Sequence, residues 1–343
     1  MAVSFANRLG DRLLNRPMLL VLLADGRLHS GEWLAKELGV SRAAVWKGIE
    51  RLRALGLEVQ ALPRRGYCLS SAVELLDARR IAAELGPDRR PQLRKLELLF
   101  EVDSTNSRLL AAVPPPPGFA DAALSELQHA GRGRRGRIWI APFGAGLALS
   151  MAWTFGEGAG ALSALSLGVG VAIARALSRA GAAGVALKWP NDIWFKDRKI
   201  GGVLIELRAE AGGPAHVVIG VGINVLLTAA ARREIEAGGV RVASVADACS
   251  ESPSRNLVAG AILDELLSML GRFEQEGFAA FREAWTALDA LHGRPARVLL
   301  GESVISGTAR GVDSEGALLL ETPDGVRRFV SGEASLRVIE GDS

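Results

Sequence analysis

Four arginines and three glycines fill the seven residues Gly131–Arg137. A guanidinium is neither a nucleophile nor a general base at neutral pH. Its chemistry is to pair with carboxylate or phosphate oxygens through a fixed fork of N–H donors. The same string satisfies G-x-G-x-x-G, which in a dinucleotide-binding unit opens a helix whose N-terminus receives a pyrophosphate. Here the next residues are Ile138–Gly144, an apolar, β-rich run closed by Pro142 and Gly144 that cannot open a helix. The dinucleotide reading fails on context. What remains is a cationic loop that closes on an anion; a solvated basic turn and a nucleic-acid contact loop are the plainer alternatives. Ordering seven residues of backbone costs roughly 7–14 kcal/mol. Four charge-assisted hydrogen bonds return roughly 6–12 kcal/mol. That near balance predicts a loop that is mobile without ligand and ordered by a carboxylate or phosphate.

Other polar groups stand at the ends of apolar runs. Asp103-Ser104-Thr105-Asn106 follows a strand expected near Leu96–Glu101, where it either caps the next helix or offers hydroxyls and an amide to a urea-like or amide-like group. The strand Ala122–Leu127 delivers Gln128 beside the arginine loop. Lys188 ends a strand ahead of Trp189-Pro190-Asn191-Asp192, which makes a turn. A lysine fixed there can serve as a point charge on a phosphoryl group, and a simple surface turn is the alternative. In Lys199–Glu206 the pair Gly201-Gly202 enters a strand and marks a close backbone approach, by a ligand or by another strand. Val217–Val221 with Gly222-Ile223-Asn224 repeats the theme. No Ser-His-Asp or Cys-His arrangement presents itself, and four histidines and two distant cysteines have no metal-ligand spacing, so no metal ligand is assigned. The expected chemistry is positioning and electrostatics rather than covalent catalysis.

The elements that carry these groups fall into three stretches of a 343-residue chain, enough for two or three domains. Residues 1–70 hold 11 Lys/Arg against 6 Asp/Glu, a net +5 in a chain whose total is +3. A basic first segment on a near-neutral body meets a polyanion. Pro17–Ala24 reads as a helix, Ser30 caps a helix over Gly31–Leu38, and Ser41 caps one that runs to Leu55. In that third helix Val45, Ile49 and Leu52 face a core, leaving Arg42, Lys47, Arg51 and Arg53 to solvent or to a ligand. Strands Glu58–Leu62 and Tyr67–Ser70 flank a basic tip that contains Arg64 and Arg65. Helix, turn, helix and wing predict DNA binding through Ser41, Arg42, Lys47, Arg51, Arg64 and Arg65, with a small helical interaction domain as the alternative. Residues 71–100 read as a helical linker, Leu162–Ala180, Arg255–Glu276 and Phe278–Asp289 as helices. The chain then turns to period two, with short strands at Arg297–Leu300, Ser303–Val312, Ala317–Glu321 and Arg327–Val330 that suggest a small barrel. The runs Met18–Ala24 and Leu162–Ala174 fall short of the roughly 20 apolar residues a bilayer requires. With no signal-peptide core and no disulfide framework, no membrane association and a cytoplasmic location are expected.

Taken in order, Asp103–Asn106, Gln128 with Gly131–Gly136, Lys188–Asp192, Lys199–Glu206 and Gly220–Asn224 resemble the motifs of biotin–protein ligases. The winged segment, with Ser41–Val45 in its second helix, resembles the DNA-binding half of the bifunctional bacterial ligase/repressors. The resemblance covers roughly residues 15–340, and its five weak motifs in one order make it specific. It implies an α+β multidomain fold: a winged helix at 1–75, a central mixed sheet with helices of class II synthetase type at 76–292, and an SH3-like small barrel at 293–343. It implies formation of biotinyl-5′-adenylate from biotin and ATP with Mg2+, then transfer to a lysine of a biotin carboxyl carrier protein, with operator DNA and a homodimer as further partners. By the same resemblance Ser104, Thr105, Asn106 and Gln128 hold biotin's rings. Arg132, Gly133 and Arg134 close over biotin and the adenylate. Lys188 stabilises the carboxylate and α-phosphate, Gly201 and Gly202 let the pocket approach the strand, and Asn224 lies near the nucleotide. The family's adenine clamp follows Asn224 and uses a tryptophan, which Leu226–Ala243 lacks. Two rivals remain: a transcriptional regulator that senses a ligand without ligase activity, and a lipoate or octanoate ligase or transferase of the same broad fold.

Overall fold

A computed structural model describes residues 15–70, 72–156, 162, 164–209, 214–300, 303–330 and 335–338. The outer ends of the first and last expected domains, 1–14 and 339–343, lie outside the described residues. Helix α1 (Asn15–Leu23) packs with α2 (Gly31–Leu38) and α3 (Arg42–Ala54). The Ser30 side chain accepts the Trp33 N–H to start α2, and Gly39 ends it in the left-handed region at φ 64°. Ser41 accepts the Ala44 N–H at 3.2 Å to start α3. Val45, Ile49 and Leu52 are buried against Leu19, Leu20, Leu23 and Leu34, as the helical spacing predicts. Strands β1 (Val59–Leu62) and β2 (Gly66–Leu69) form the antiparallel wing. Gly66 sits at φ 131°, and a Cβ there would stand 2.0 Å from the His29 carbonyl oxygen. Glycine is therefore what lets the wing lie against His29, whose N–H and C=O both pair with Tyr67.

The central unit is built on a seven-stranded sheet in the order β3-β4-β5-β9-β8-β7-β6. Its strands are β3 (Leu93–Val102), β4 (Ala120–Gln128), β5 (Gly146–Phe155), β6 (Val185–Lys188), β7 (Asp192–Phe195), β8 (Arg198–Ala209) and β9 (Ala215–Asn224). The pair β3/β4 is parallel and every other pair is antiparallel. Helices α6 (Leu165–Arg179) and α8 (Arg255–Glu276) join the main core with Leu147, Leu149, Met151 and Ile219 of the middle strands. Period two then puts Ala148, Ser150, Gly220 and Gly222 on the opposite face. Short helices α4 (Ala78–Ala83), α5 (Thr105–Leu110), α7 (Ala229–Glu236) and α9 (Arg282–Ala287) complete the unit.

Two expected helices are cut down. The helical linker over 71–100 reduces to α4, because Gly86-Pro87 and Pro91 interrupt it and β3 already begins at Leu93. The helix expected over Phe278–Asp289 becomes a 3₁₀ turn at Gly277–Ala280 followed by α9, with Gly277 at φ 63°. The last stretch holds β10 (Pro295–Leu300), β11 (Ser303–Val312), β12 (Leu318–Thr322), β13 (Gly325–Phe329) and β14 (Ser335–Val338). They pair antiparallel in the order β13-β12-β11-β10-β14. Strand β14 was not anticipated from the sequence. This module docks on the central unit where the Trp189 indole N–H donates to the Gly316 carbonyl at 3.2 Å. Among the described residues no helix is long and apolar enough to cross a membrane.

Arg255, fully buried at the start of α8, ties the segment after the wing to the sheet. Its guanidinium donates to the carbonyls of Glu74 at 2.6 Å and Gly146 at 3.0 and 3.1 Å, and it pairs with Glu126 at 2.8 Å. Removing one partner of a buried pair strands the other, at about 3–5 kcal/mol. Arg255→Met should lower the unfolding free energy in urea by that amount; a loss under about 1 kcal/mol would contradict this role.

Candidate active site

The small-residue face of the sheet is the floor of a cavity of about 410 Å³. Gly202 of β8 lies opposite Gly222 of β9, and Gly220 and Gly222 lie opposite Ser150 and Ala148 of β5. A Cβ on Gly220 would stand 2.4 Å from Asn106 Oδ1, and one on Gly222 would stand 2.4 Å from the Trp139 ring. Asn106 and Trp139 therefore rest directly on bare backbone. Ile138, Trp139, Ile140, Val240 and Val242 add apolar wall.

The polar end is built by the N-terminus of α5. Ser104 caps the helix, accepting the Ser107 N–H at 3.4 Å. Gln128 Oε1 accepts from the Thr105 N–H at 2.8 Å and from its hydroxyl at 3.1 Å. Ser150, fully buried, donates to either Thr105 Oγ1 at 2.8 Å or Asn106 Oδ1 at 2.5 Å. Asn106 Nδ2 donates to Glu206 at 2.7 Å. Ser104 is a helix cap, as one reading of Ser104–Asn106 has it, and all three residues also border the cavity.

The arginine loop closes the other end. Its backbone pairs with itself: the Gly133 N–H donates to the Arg137 carbonyl at 2.7 Å and the Trp139 N–H to the Gly131 carbonyl at 2.9 Å. Arg135 takes φ 58° at the turn. Arg132, Gly133, Arg134 and Arg137 all reach the cavity wall. Arg134 donates to Asn191 Oδ1 at 3.3 Å, and Asn191 Nδ2 is in turn held by the Val203 carbonyl at 2.7 Å. Burial, with Arg135 and Arg137 nearby, pulls the Arg134 guanidinium below its ordinary range, while Asp192 acts the other way. A buried cation crowded by like charge gains from an arriving anion.

Two expected residues lie elsewhere. Lys188 is buried with its ammonium 4.5 Å from the Trp194 ring and is not on the cavity wall. The wall's lysine is Lys199, paired with Asp192 at 2.6 Å. Gly201 faces the helices: a Cβ there would stand 2.5 Å from both the Gly222 carbonyl and the Ile223 side chain, so it serves strand packing and Gly202 alone of the pair meets the cavity. Asn224 lines the cavity and donates to the Ala243 carbonyl at 3.1 Å. Lys199 stands in its motif beside more conspicuous glycines, and Trp139 lies in an apolar run where nothing local marks it as a cavity residue. Nothing in the β5 sequence distinguishes Ser150 from a packed strand residue.

Comparison with known proteins meets this geometry. Residues 116–224 match the model of the biotin/lipoate A/B protein ligase family, residues 16–68 an HTH domain, and residues 291–337 the biotin protein ligase C-terminal domain. The bifunctional ligase/repressor BirA of Salmonella typhimurium is 40% identical over 94% of this chain and 97% of its own length. The protein of that name from Escherichia coli is 39% identical over the same shares. The chain belongs to the bifunctional biotin ligase/repressor family. Among solved structures, the biotin protein ligase of Aquifex aeolicus in complex with biotin and ATP is similar at 28% identity and a TM-score of 0.60, covering 72% of this chain and 100% of that one.

In this family member the winged helix presents a second concave surface. Arg42, Ala43 and Trp46 of α3 face Leu62, Arg64 and Arg65 of the wing across a groove. Arg64 takes φ 62° at the tip. Lys47 and Arg51 are exposed on α3 outside that groove. The Ser41 hydroxyl is engaged in capping α3 and so fixes the helix start.

Gly222→Val should drive Trp139 off the floor while leaving the opposite, helix-packed face untouched. The expected result is a folded protein with ligand binding weakened at least about 100-fold, a loss of about 2.7 kcal/mol, by titration calorimetry. Unchanged affinity would contradict the floor assignment.

Proposed function

We propose that the cavity activates biotin with ATP and that the chain then passes the biotinyl group to a lysine of a biotin carboxyl carrier protein. The observation that carries this reading is the joining, in one cavity, of a bare-backbone floor, an amide-and-hydroxyl end and a cationic mouth. Ser104, Thr105, Asn106 and Gln128 take the fused rings, whose urea group needs both donors and acceptors. Gly220 and Gly222 seat Asn106 and Trp139 low against the strands, which leaves room over that face for the rings and the acyl chain.

In the first step a biotin carboxylate oxygen attacks the α-phosphorus of ATP, the bond to the bridging oxygen breaks, and pyrophosphate leaves. Two anions must approach within bonding distance, so the barrier is chiefly electrostatic. Arg132, Arg134 and Lys199 neutralise the carboxylate and the charge gathering on the α-phosphate. Asn224, with the Ile235–Val242 segment, borders the nucleotide. Magnesium would accompany ATP and offset the charge on its phosphates; Asp192, the hard oxygen donor beside Lys199, would be the residue to hold it. In the second step a carrier lysine amine attacks the acyl carbon and AMP leaves with the bonding pair. The arginine loop shields the mixed anhydride from water in the interval.

We further propose that α3 and the wing bind operator DNA, with a homodimer supplying two half-sites. Arg42, Arg64 and Arg65 are suited to phosphates, and Lys47 and Arg51 extend the positive surface along α3.

Incubation with biotin, ATP and a carrier domain should raise the carrier's mass by one biotinyl group and release pyrophosphate. Neither change would leave a ligand-sensing regulator as the reading, and acylation by lipoate in competition with biotin would favour the lipoate enzymes. Lys199→Gln should slow pyrophosphate release by about 10²–10³-fold, the magnitude for losing one preorganised charge at a developing anion. Equal rates in wild type and this variant would remove Lys199 from the mechanism. Trypsin should cut within Arg132–Arg137 more slowly once biotin and ATP are added; equal cleavage with and without them would count against closure of the loop on its ligands.

A further inference from the structure

Glu206 closes the Lys199–Glu206 motif. It lies on β8 four residues beyond Gly202, on the same face of the strand and just past the cavity-lining Leu204. Both of its carboxylate oxygens accept from Arg132 Nη2, at 3.0 and 2.9 Å. One of them also accepts from Asn106 Nδ2 at 2.7 Å. Asn106 belongs to the ring end of the cavity and Arg132 to the loop at its mouth; this carboxylate joins their side chains, beside the backbone bond from the Ala130 N–H to the Asp103 carbonyl at 2.8 Å. The Asn106 amide is thereby oriented, with Nδ2 held by Glu206 and the Leu204 carbonyl (3.4 Å) and Oδ1 turned to Ser150. The pair is only partly shielded: the Arg132 side chain is 44% exposed and that of Glu206 is 28% exposed.

We propose that Glu206 is a positioning residue that ties the arginine loop to the ring-binding end of the cavity. The inference rests on the reading of the cavity as a biotin site. The carboxylate acts as a built-in counter-anion: it holds the root of the loop over the floor before substrate arrives, and it fixes the Asn106 amide by the same contact. Ordering of the loop then starts from an anchored end, so less conformational entropy is lost when ligand closes the remainder.

The test is a double-mutant cycle read by biotin affinity. Glu206→Gln keeps an acceptor for Asn106 but removes the charge that holds Arg132. In the wild-type background it should weaken biotin binding roughly tenfold, the size of about one charge-assisted hydrogen bond in a partly exposed setting. It should also speed tryptic cleavage within Arg132–Arg137 in the unliganded protein. In an Arg132→Gln background the same change should be close to neutral in both assays. The tenfold difference should shrink as salt is raised, since the anchoring pair is screened. A merely structural Glu206 would cost as much in the Arg132→Gln background as in wild type, with no salt dependence, and that result would overturn the proposal. So would a Glu206→Gln variant with unaltered affinity and cleavage. A wild-type protein that bound no biotin would instead defeat the underlying reading of the cavity.

Discussion

Two anions have to share one small cavity, and the remaining features of the central unit can be understood as consequences of that electrostatic problem. A carboxylate and a triphosphate repel each other most strongly where water is excluded. The cavity answers with clustered cations: Arg132, Arg134 and Arg137 from the loop and Lys199 from β8. Once the loop has closed, such charge needs no further rearrangement as the reaction proceeds. It also has a cost in the unliganded protein, visible in the depressed Arg134 guanidinium. The supporting contacts manage that cost locally, through Glu206 under Arg132, Asn191 under Arg134 and Asp192 under Lys199.

The sheet serves the same end. Its helix-facing side is packed with large apolar residues, while the other side of β8 and β9 carries almost no side-chain bulk at Gly202, Gly220 and Gly222. Period-two alternation makes such a division possible within single strands. The fold thus remains stable on one face while the other lies open to a ligand and to Trp139. The winged helix keeps its own core, joined to the central unit by Phe143 and by partly buried Phe100 and Leu127. Arg255 binds Glu74, just after the wing, to Gly146, whose register partner is the cavity residue Asn224. The segment after the wing and the sheet beneath the cavity are therefore linked by short, buried contacts.

Local signals made most of this legible in the sequence. Ser30, Gly39 and Ser41 are capping residues whose side chains or backbone act within a few positions, so the first helices followed directly from residue type. The arginine loop was legible because four like charges in seven residues have no packing role. What escaped was long-range. Whether Lys188 or Lys199 borders the cavity depends on how the β6–β7 hairpin turns against β8, and both lysines sit beside turns in the sequence. Gly201 and Gly202 are chemically identical neighbours, and only strand register sends one toward the helices and the other toward the cavity. Ser150 looks like any small residue in a buried strand until α5 is laid across it.

The central claim is that the rings settle over the small-residue face of the sheet while the carboxylate lies under the cations. A crystal structure with biotin and ATP both bound tests it most directly. The account predicts the rings over the small-residue face of the sheet beside Trp139 and within reach of Ser104–Asn106, and the carboxylate beside the α-phosphate beneath Arg134 and Lys199. Biotin found elsewhere, or bound with its carboxylate turned away from these cations, would contradict it.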